Sequence, residues 1–512
     1  MKENKTSLAK SAVLMGIIIL ASKALGLLRD ILIAAAYGTT EAAVAYETAS
    51  KLPVTIFDFV LGGVVTAAFI PVYNSLAVKK GKKEAVSFCQ SYVNLILVIT
   101  VTLSVLGVVF APTLVDLIAP KLAESTRLMA ASLTRIMFPM VIFVGLAFSF
   151  VGFLQSEGEY NIPAVISLVS NLLMVAYLVF FNDKFGVTGL SVAMLIGWGA
   201  QAAVQIPFAW RRGFRFRLTA PLGTPEIRRA AGNTLPILIA TWTTPVCNLI
   251  NTRLASGIEG GRAITALSYA NRLYIILVGL FSFVATNLIF PMIARAAAAG
   301  EKEESDRLTR SSIKTLIYLI APLSAGVMVL AEPFVALIYE NGTFNASDTL
   351  LTAEALRFYA VGMIFAAVAE VLIKACFAAE LTVFPMISSL ISMAFNAAVV
   401  LLFGSRLGIG GIAAVTALAT LINMLVNLLF ACRKKLITPI GADLIDAAKS
   451  LLAAVLMGAA VWFAARLTAD MGRIPAFVLP VFAGVAVYAV LTFLLRSETV
   501  GVLLSKLTKN TD

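Results

Sequence analysis

Apolar runs of about 20 residues or more recur almost from one end of the chain to the other, long enough to cross about 30 Å of hydrocarbon as helices. No other feature narrows the fold so far. Of the 512 residues, 60% are hydrophobic and 13% are charged, and the mean hydropathy is +0.93. A soluble domain has about a quarter of its residues charged. The chain reads as an all-α polytopic membrane protein. The runs predict fourteen spans, near residues 10–36, 42–74, 86–111, 128–154, 162–181, 187–210, 230–255, 264–294, 313–339, 352–377, 382–403, 409–431, 448–467 and 475–496. The second and eighth are long, and Pro53 is expected to interrupt the second. Lys2 and Lys5, the apolar stretch from Val13 to Ala21, and the small residues Ser22 and Ala24 have the outline of a secretory signal. The apolar run resumes at Leu25 and continues to Tyr37, so a retained first helix is expected.

The later part of the chain repeats the first. Phe69-Ile70-Pro71 corresponds to Ile289-Phe290-Pro291, Pro112 to Pro333, Pro163 to Pro385, and the pair Gly186 and Gly189 to Gly408 and Gly411, at offsets of 220 to 222 residues. Each copy holds six spans, so both begin on the same side of the membrane, and parallel repeats related by an axis along the membrane normal are expected. The division that follows is residues 1–215 as an N-lobe, 216–436 as a C-lobe, and 437–512 as two extra helices. Transporters built from such halves hold their substrate between them, near the bilayer midplane.

Orientation follows from the basic residues. The loops on the side of the termini carry 25 Lys and Arg, including Lys79, Lys80, Lys82, Lys83, Arg211, Arg212, Arg433 and Lys434; the opposite loops carry 8, Lys121 and Arg253 among them. Positive residues gather on the cytoplasmic side, which places both termini of this multi-pass chain there. The net charge of +12 is read the same way, and not as a nucleic-acid surface.

Several chemistries are excluded. Cys89, Cys247, Cys376 and Cys432 are widely spaced, with neither metal-ligand spacing nor a disulfide framework. The chain has no His, which removes histidine-based zinc chemistry and a His proton relay. It has no G-x-x-x-x-G-K-[ST] phosphate loop. An enzyme acting on a prenyl phosphate would need an acidic metal pair or a loop nucleophile, and Asp30 and Asp58 have no such partner motif. No cofactor is expected.

An ionisable side chain at membrane depth costs at least about 2.5–3.5 kcal/mol, so each is a functional candidate. Span 1 holds Lys23, Arg29 and Asp30. Span 2 holds Glu47, Lys51 and Asp58, separated by four and seven residues and so on one helix face. Arg135 lies in span 4 before Phe138-Pro139, Arg272 and Asn271 lie in span 8, and Arg357, Glu370 and Lys374 lie in span 10. For Arg357 and the Glu370–Lys374 pair the plainer reading is a structural ion pair; for Arg135 the two readings are balanced. Lys23, Arg29, Lys51 and Arg272 come from both copies and make a basic set suited to an anion, with Arg able to grip phosphate bidentately. A drug/cation antiporter would want an acidic cavity instead.

Taken in order, these residues resemble the MurJ (MviN) lipid II flippases. Lys23-Ala24-Leu25-Gly26 followed by Arg29-Asp30 is similar to S-R-x-x-G-x-x-R-D. Lys51-Leu52-Pro53 matches K-L-P, and Ala68 to Pro71 resembles A-F-V-P. Leu133 to Pro139 resembles L-x-R-I-x-F-P, and Tyr269 to Leu273 resembles Y-A-D-R-L. Asn341 to Phe344, with Asp348 and Thr352, resembles an outer-loop G-x-F-x-x-x-D-x-x-x-T. The resemblance runs through about residues 10–435. It implies the multidrug/oligosaccharidyl-lipid/polysaccharide exporter fold and the movement of undecaprenyl-pyrophosphate-linked peptidoglycan precursor to the outer leaflet. It also implies that basic residues of spans 1, 2 and 8 meet the pyrophosphate and that spans 13 and 14 shape a groove for the prenyl tail. The expected partners are lipid II and membrane lipids, with other wall-synthesis proteins open.

The chain departs from that pattern in places. Lys23 stands for the first family Arg, and the Arg and Glu that follow K-L-P have no counterpart at Phe57, Asp58 and Gly62. Asn271 stands for the Asp of Y-A-D-R-L. Some members have an acidic sodium site in the second lobe; here Asn248, Asn396 and Asn423 offer neutral oxygens, so a monovalent-cation site stays open. So does a flippase for another prenyl-linked glycan (teichoic, capsular or O-antigen), and so does a non-transporting scaffold.

Overall fold

A computed structural model describes residues 2–61, 69–217, 221, 224–227, 242–285, 289–438 and 441–499. Among them there is no β-strand. The chain divides into two compact units, Met1–Ile264 and Thr265–Asp512.

The first unit contains α1 (Lys2–Tyr37), α2 (Glu41–Leu61), α3 (Ile70–Lys79), α4 (Lys82–Val109), α5 (Ala111–Ile118), α6 (Glu124–Met137), α7 (Met140–Ser156), α8 (Asn161–Phe180), α9 (Asn182–Arg211) and α10 (Thr243–Ala255). Most of α11 (Arg262–Val284) belongs to the second unit. That unit also contains α12 (Phe290–Ala298), α13 (Lys302–Val329), α14 (Ala331–Tyr339), α15 (Ala346–Ala378), α16 (Val383–Phe403), α17 (Gly408–Arg433), α18 (Gly441–Thr468) and α19 (Arg473–Leu494).

Among the described residues nine helices are long and apolar enough to cross a membrane, and the bent pair α6–α7 makes a tenth. The other four expected spans fall on α1, α2, α10 and α11. Three of these carry charges along their length, and for the span expected at 230–255 residues 230–241 lie outside the described residues. The expected interruption at Pro53 is absent: α2 is assigned as one helix through it to Leu61. The bend falls instead between α6 and α7, 40° at Phe138 and Pro139. Gly107 of α4 makes room for it, since a Cβ there would lie 1.9 Å from the Phe138 ring.

Local structure repeats at the duplicated positions. Pro71 and Pro291 sit in the first turns of α3 and α12, where a missing N–H costs nothing. Phe110 before α5 and Leu330 before α14 have nearly the same backbone angles, φ −92° and ψ 13° against φ −96° and ψ 16°. Gly186 and Gly408 both have positive φ, 55° and 61°, a region that favours glycine. The residue types at the repeat thus set the same breaks twice.

Each unit has its own interior. In the first, Phe69, Tyr73, Phe88, Tyr92, Phe153 and Phe214 form an aromatic cluster under α3, α4 and α7. In the second, α15 packs on α13 and α17, and the hairpin of α18 and α19 packs on α13. The packing division at residue 264 lies later than the repeat boundary near 215. The described part of α10 packs on α2 and α5 and so joins the first unit.

Candidate substrate site

Arg29 and Asp30 are neighbours on α1, and the long Arg side chain folds back over the carboxylate. Its Nε and Nη2 both donate to Asp30 Oδ1, at 3.0 and 2.8 Å. Its Nη1 donates to Asn171 Oδ1 of α8 at 2.9 Å. Asn171 Nδ2 in turn donates to the Ser22 carbonyl of α1 at 3.1 Å. The Asp30 side chain is 8% exposed and that of Arg29 28%. The carboxylate is therefore inside the packing, while the Arg29 side chain keeps some exposed surface. An ion pair with further hydrogen bonds is what makes such charges tolerable at depth. Lys23, two turns before Asp30, is exposed.

On α2, Glu47 is 3% exposed, whereas Lys51 and Asp58 are half-buried. Protein covers Glu47, and of the three only Lys51 and Asp58 present surface. Lys51 Nζ donates to Thr252 Oγ1 of α10 at 3.3 Å. The Thr252 hydroxyl donates to the Asn248 carbonyl at 2.7 Å, which leaves its oxygen lone pair toward the ammonium. Arg135 is exposed at the end of α6, beside the bend.

In the second unit, Arg272 stands one turn after Tyr269 on α11, its guanidinium carbon 5.5 Å from that ring's centroid. Tyr269 packs on Tyr339 at 5.0 Å and on Phe344 at 5.6 Å. The Y-A-N-R-L segment and the Asn341–Phe344 segment therefore meet around one aromatic cluster. The rest of that loop pattern is a helix start: the Asn345 side chain accepts from the backbone N–H groups of Ser347 and Asp348, and Asp348 returns the bond in a capping box on α15. Asn271 is half-buried beside Arg272. Glu370 and Lys374 pair at 3.5 Å, as do Arg357 and Glu332, in keeping with the structural reading of these charges.

The neutral amides divide between the units: Asn248 is exposed on α10, and Asn396 and Asn423 lie on α16 and α17. Asn396 is fully buried, and neither amide atom is hydrogen-bonded. Asn427 Nδ2 donates to Ser388 Oγ at 2.7 Å and to Asn423 Oδ1 at 3.1 Å. Among the described residues no three His, Cys, Asp or Glu side chains gather as metal ligands.

A cavity of about 460 Å³ opens between α13, α14, α18 and α19, lined by apolar groups including Tyr318, Leu323, Phe334, Met457, Phe477 and Tyr488. Phe334 stacks on Phe477 at 5.4 Å, and Arg473 pairs with Glu340 at 3.0 Å. At the N-terminal ends of α13 and α18 an ionic clasp joins the helices. Arg310 and Lys314 both reach Asp443 at 2.7 Å. One turn on, Asp446, 3% exposed, accepts from Ser497 Oγ, Thr499 Oγ1 and the backbone N–H of Glu498, at 2.8, 2.7 and 2.8 Å.

Asn171 and the Asp443–Asp446 clasp were not singled out by residue pattern; Ile250 to Thr252 resembles a family segment, which does not show that Thr252 meets Lys51. The one signal for Asn171 is Gly26: a Cβ there would lie 3.3 Å from Asn171 Nδ2.

Charges bonded inside one helical unit, and an apolar groove between membrane-length helices in another, define a polytopic membrane protein of the transporter class. Solved structures share the fold. "Lipid II flippase MurJ, inward closed conformation" superposes with a TM-score of 0.80 at 22% identity, over 94% of this chain and 99% of that one. An inward-facing multidrug resistance MATE family transporter of the MOP superfamily gives 0.68 at 14% identity, over 83% and 98%. The family described as "Lipid II flippase MurJ" matches residues 33–482, and the chain belongs to that family. A probable lipid II flippase MurJ of Rhizobium meliloti is 30% identical over 434 residues, 83% of this chain and 80% of the relative. One of Treponema pallidum is 28% identical over 447 residues, 85% and 84%.

Proposed function

We propose that the chain is a lipid II flippase, not an enzyme: it moves the undecaprenyl-pyrophosphate-linked peptidoglycan precursor from the inner to the outer leaflet of the bacterial cytoplasmic membrane by alternating access. The observation that supports this beyond family membership is Arg29, ion-paired with Asp30 on the largely apolar α1 with its side chain 28% exposed. A pyrophosphate cannot enter hydrocarbon bare, because ionised oxygens would lose their solvation. Arg29, Lys51 and Arg272 supply donors in place of water, and Lys23 adds charge. Asp30 and Asn171 hold Arg29 through three of its five N–H groups and leave one on each Nη. The groove of α13, α14, α18 and α19 takes the prenyl tail, since its lining is mainly apolar.

We assign fourteen crossings, with both termini cytoplasmic, from the bias of Lys and Arg. The membrane potential is the drive. With the interior negative, each negative charge moving outward through the full field gains about 2.3 kcal/mol per 100 mV. A monovalent cation held by the neutral oxygens near Asn396 and Asn423 is the alternative coupling.

Complementation tests the function. Expressed in a strain depleted of its own lipid II flippase, the chain restores growth. Expressed in strains lacking a flippase for a teichoic, capsular or O-antigen unit, it does not. The reverse pattern moves the assignment to another prenyl-linked glycan.

A further inference from the structure

The Arg29 guanidinium has more than one way to fold against Asp30, and an ion pair alone leaves its plane free to turn. Asn171 removes that freedom. Its side-chain oxygen accepts from Nη1 at 2.9 Å, while its nitrogen donates to the Ser22 carbonyl at 3.1 Å. An amide is the side chain suited to this place, because one end must accept and the other must donate. Ser22 stands seven residues before Arg29 on α1, so Asn171 ties the guanidinium back to the backbone of its own helix. Asn171 is 8% exposed, and Gly26 lies where any larger residue would press on its nitrogen at 3.3 Å or closer. The site is therefore closed around one amide orientation.

We infer that Asn171 is a positioning residue of the pyrophosphate site, presenting the Arg29 fork in one orientation so that the two N–H groups not used by Asp30 and Asn171, one on each Nη, meet phosphate oxygens. This rests on the reading that Arg29 binds the lipid-linked pyrophosphate. A bidentate grip depends on the angle of the planar fork, whereas an ammonium grip does not. Asn171 thus acts on the advantage of Arg over Lys at position 29, and not on charge.

The test measures lipid II affinity of the purified full chain in nanodiscs, for the wild type, Asn171→Ala, Asn171→Leu, Arg29→Lys, Arg29→Ala, and each Asn171 variant combined with each Arg29 variant. Thermal midpoints report folding. Leu keeps the branched four-atom outline of the Asn side chain without its polar atoms, so Asn171→Leu removes the hydrogen bonds while a side chain remains between α1 and α8, and Asn171→Ala controls for crowding at Gly26. Either Asn171 variant alone is expected to weaken binding about tenfold, the scale of a hydrogen bond to a charged group. In the Arg29→Ala background the same changes should add less than about twofold, because a residue that acts through Arg29 has nothing left to position. The gap between Arg and Lys at position 29 should shrink when Asn171 is replaced. An equal cost of Asn171→Leu with and without Arg29, or an unchanged gap, overturns the positioning role. If Arg29→Ala itself leaves affinity unchanged, the reading of Arg29 as the phosphate ligand fails instead.

Discussion

The surroundings of Arg29, on α1, α2, α8 and α10 of the first unit, and the groove of α13, α14, α18 and α19 in the second solve opposite problems. Arg29 and Lys51 lie within the expected spans, and each is answered by a named partner, Asp30 and Asn171 for the one and Thr252 for the other. Around the groove the interior is hydrocarbon, and the charges are moved to the ends, to Asp443 and Asp446 in one direction and to Arg473 and Glu340 in the other. A charge inside is costly and is kept for a ligand of opposite sign; a charge at a rim ties helices together and leaves the interior to apolar groups. Under the proposed function the first region would stand in for water around an amphiphile's head, and the second for lipid around its tail.

The largest expected effect separates head from tail. Arg29→Ala and Arg272→Ala each should lower flipping at least about a hundredfold at near-normal membrane levels, on the scale of losing two charge-assisted bonds. Arg29→Lys should still lose about tenfold, because the fork is gone while the charge remains. Normal growth of the alanine variants at equal expression would remove the basic site from the account.

Next comes the groove. Gly326 lines it, and a Cβ there meets nothing within 4 Å. Gly326→Phe should fill the cavity without harming the fold, leaving the thermal midpoint at or above wild type and lowering flipping about tenfold, roughly the loss of a few buried methylenes of tail contact. Gly484 lines the same wall, but its Cβ would lie 2.7 Å from Val461 Cγ2. Gly484→Phe should therefore lower the midpoint as well. If Gly326→Phe flips normally, the groove does not carry the tail.

The clasp should matter for stability more than for transport. Asp446→Ala leaves the Ser497 and Thr499 hydroxyls and the Glu498 N–H without their acceptor, a loss of about 1–3 kcal/mol visible as a lower thermal midpoint in detergent. Flipping by the folded fraction should fall less than with Gly326→Phe. The smallest effect expected is that of sodium. Replacing it at constant potential should change the rate less than about twofold, whereas collapse of the potential stops outward flipping. A strict sodium requirement at clamped potential would give the amides near Asn396 a role in coupling.

Much of the helical pattern was legible in the chain because apolar length is a strong signal: the runs at 162–181, 382–403 and 409–431 fall within a residue or two of α8, α16 and α17. The repeat at Gly186 and Gly408 was legible too, since positive φ restricts residue type. Pro53 misled, because a proline's local signal does not say whether the helix assignment stops there. Arg29, Lys51 and Arg272 stood out as charges in oil. Their partners did not: an Asn in an apolar run, or a Thr on a later helix, has no periodicity to betray it, and only the folded chain brings Asn171 to Arg29 across 142 positions. Glu47 shows the converse, since spacing puts it on a face with Lys51 but cannot show that protein covers it.

The most direct test of a basic headgroup site is outer-leaflet lipid II, measured in a strain depleted of its own flippase and carrying either the wild-type chain or Arg29→Ala at matched membrane levels. The account predicts normal exposure of lipid II outside with the wild type and its retention inside with Arg29→Ala. Equal outer-leaflet lipid II in the two strains would contradict it.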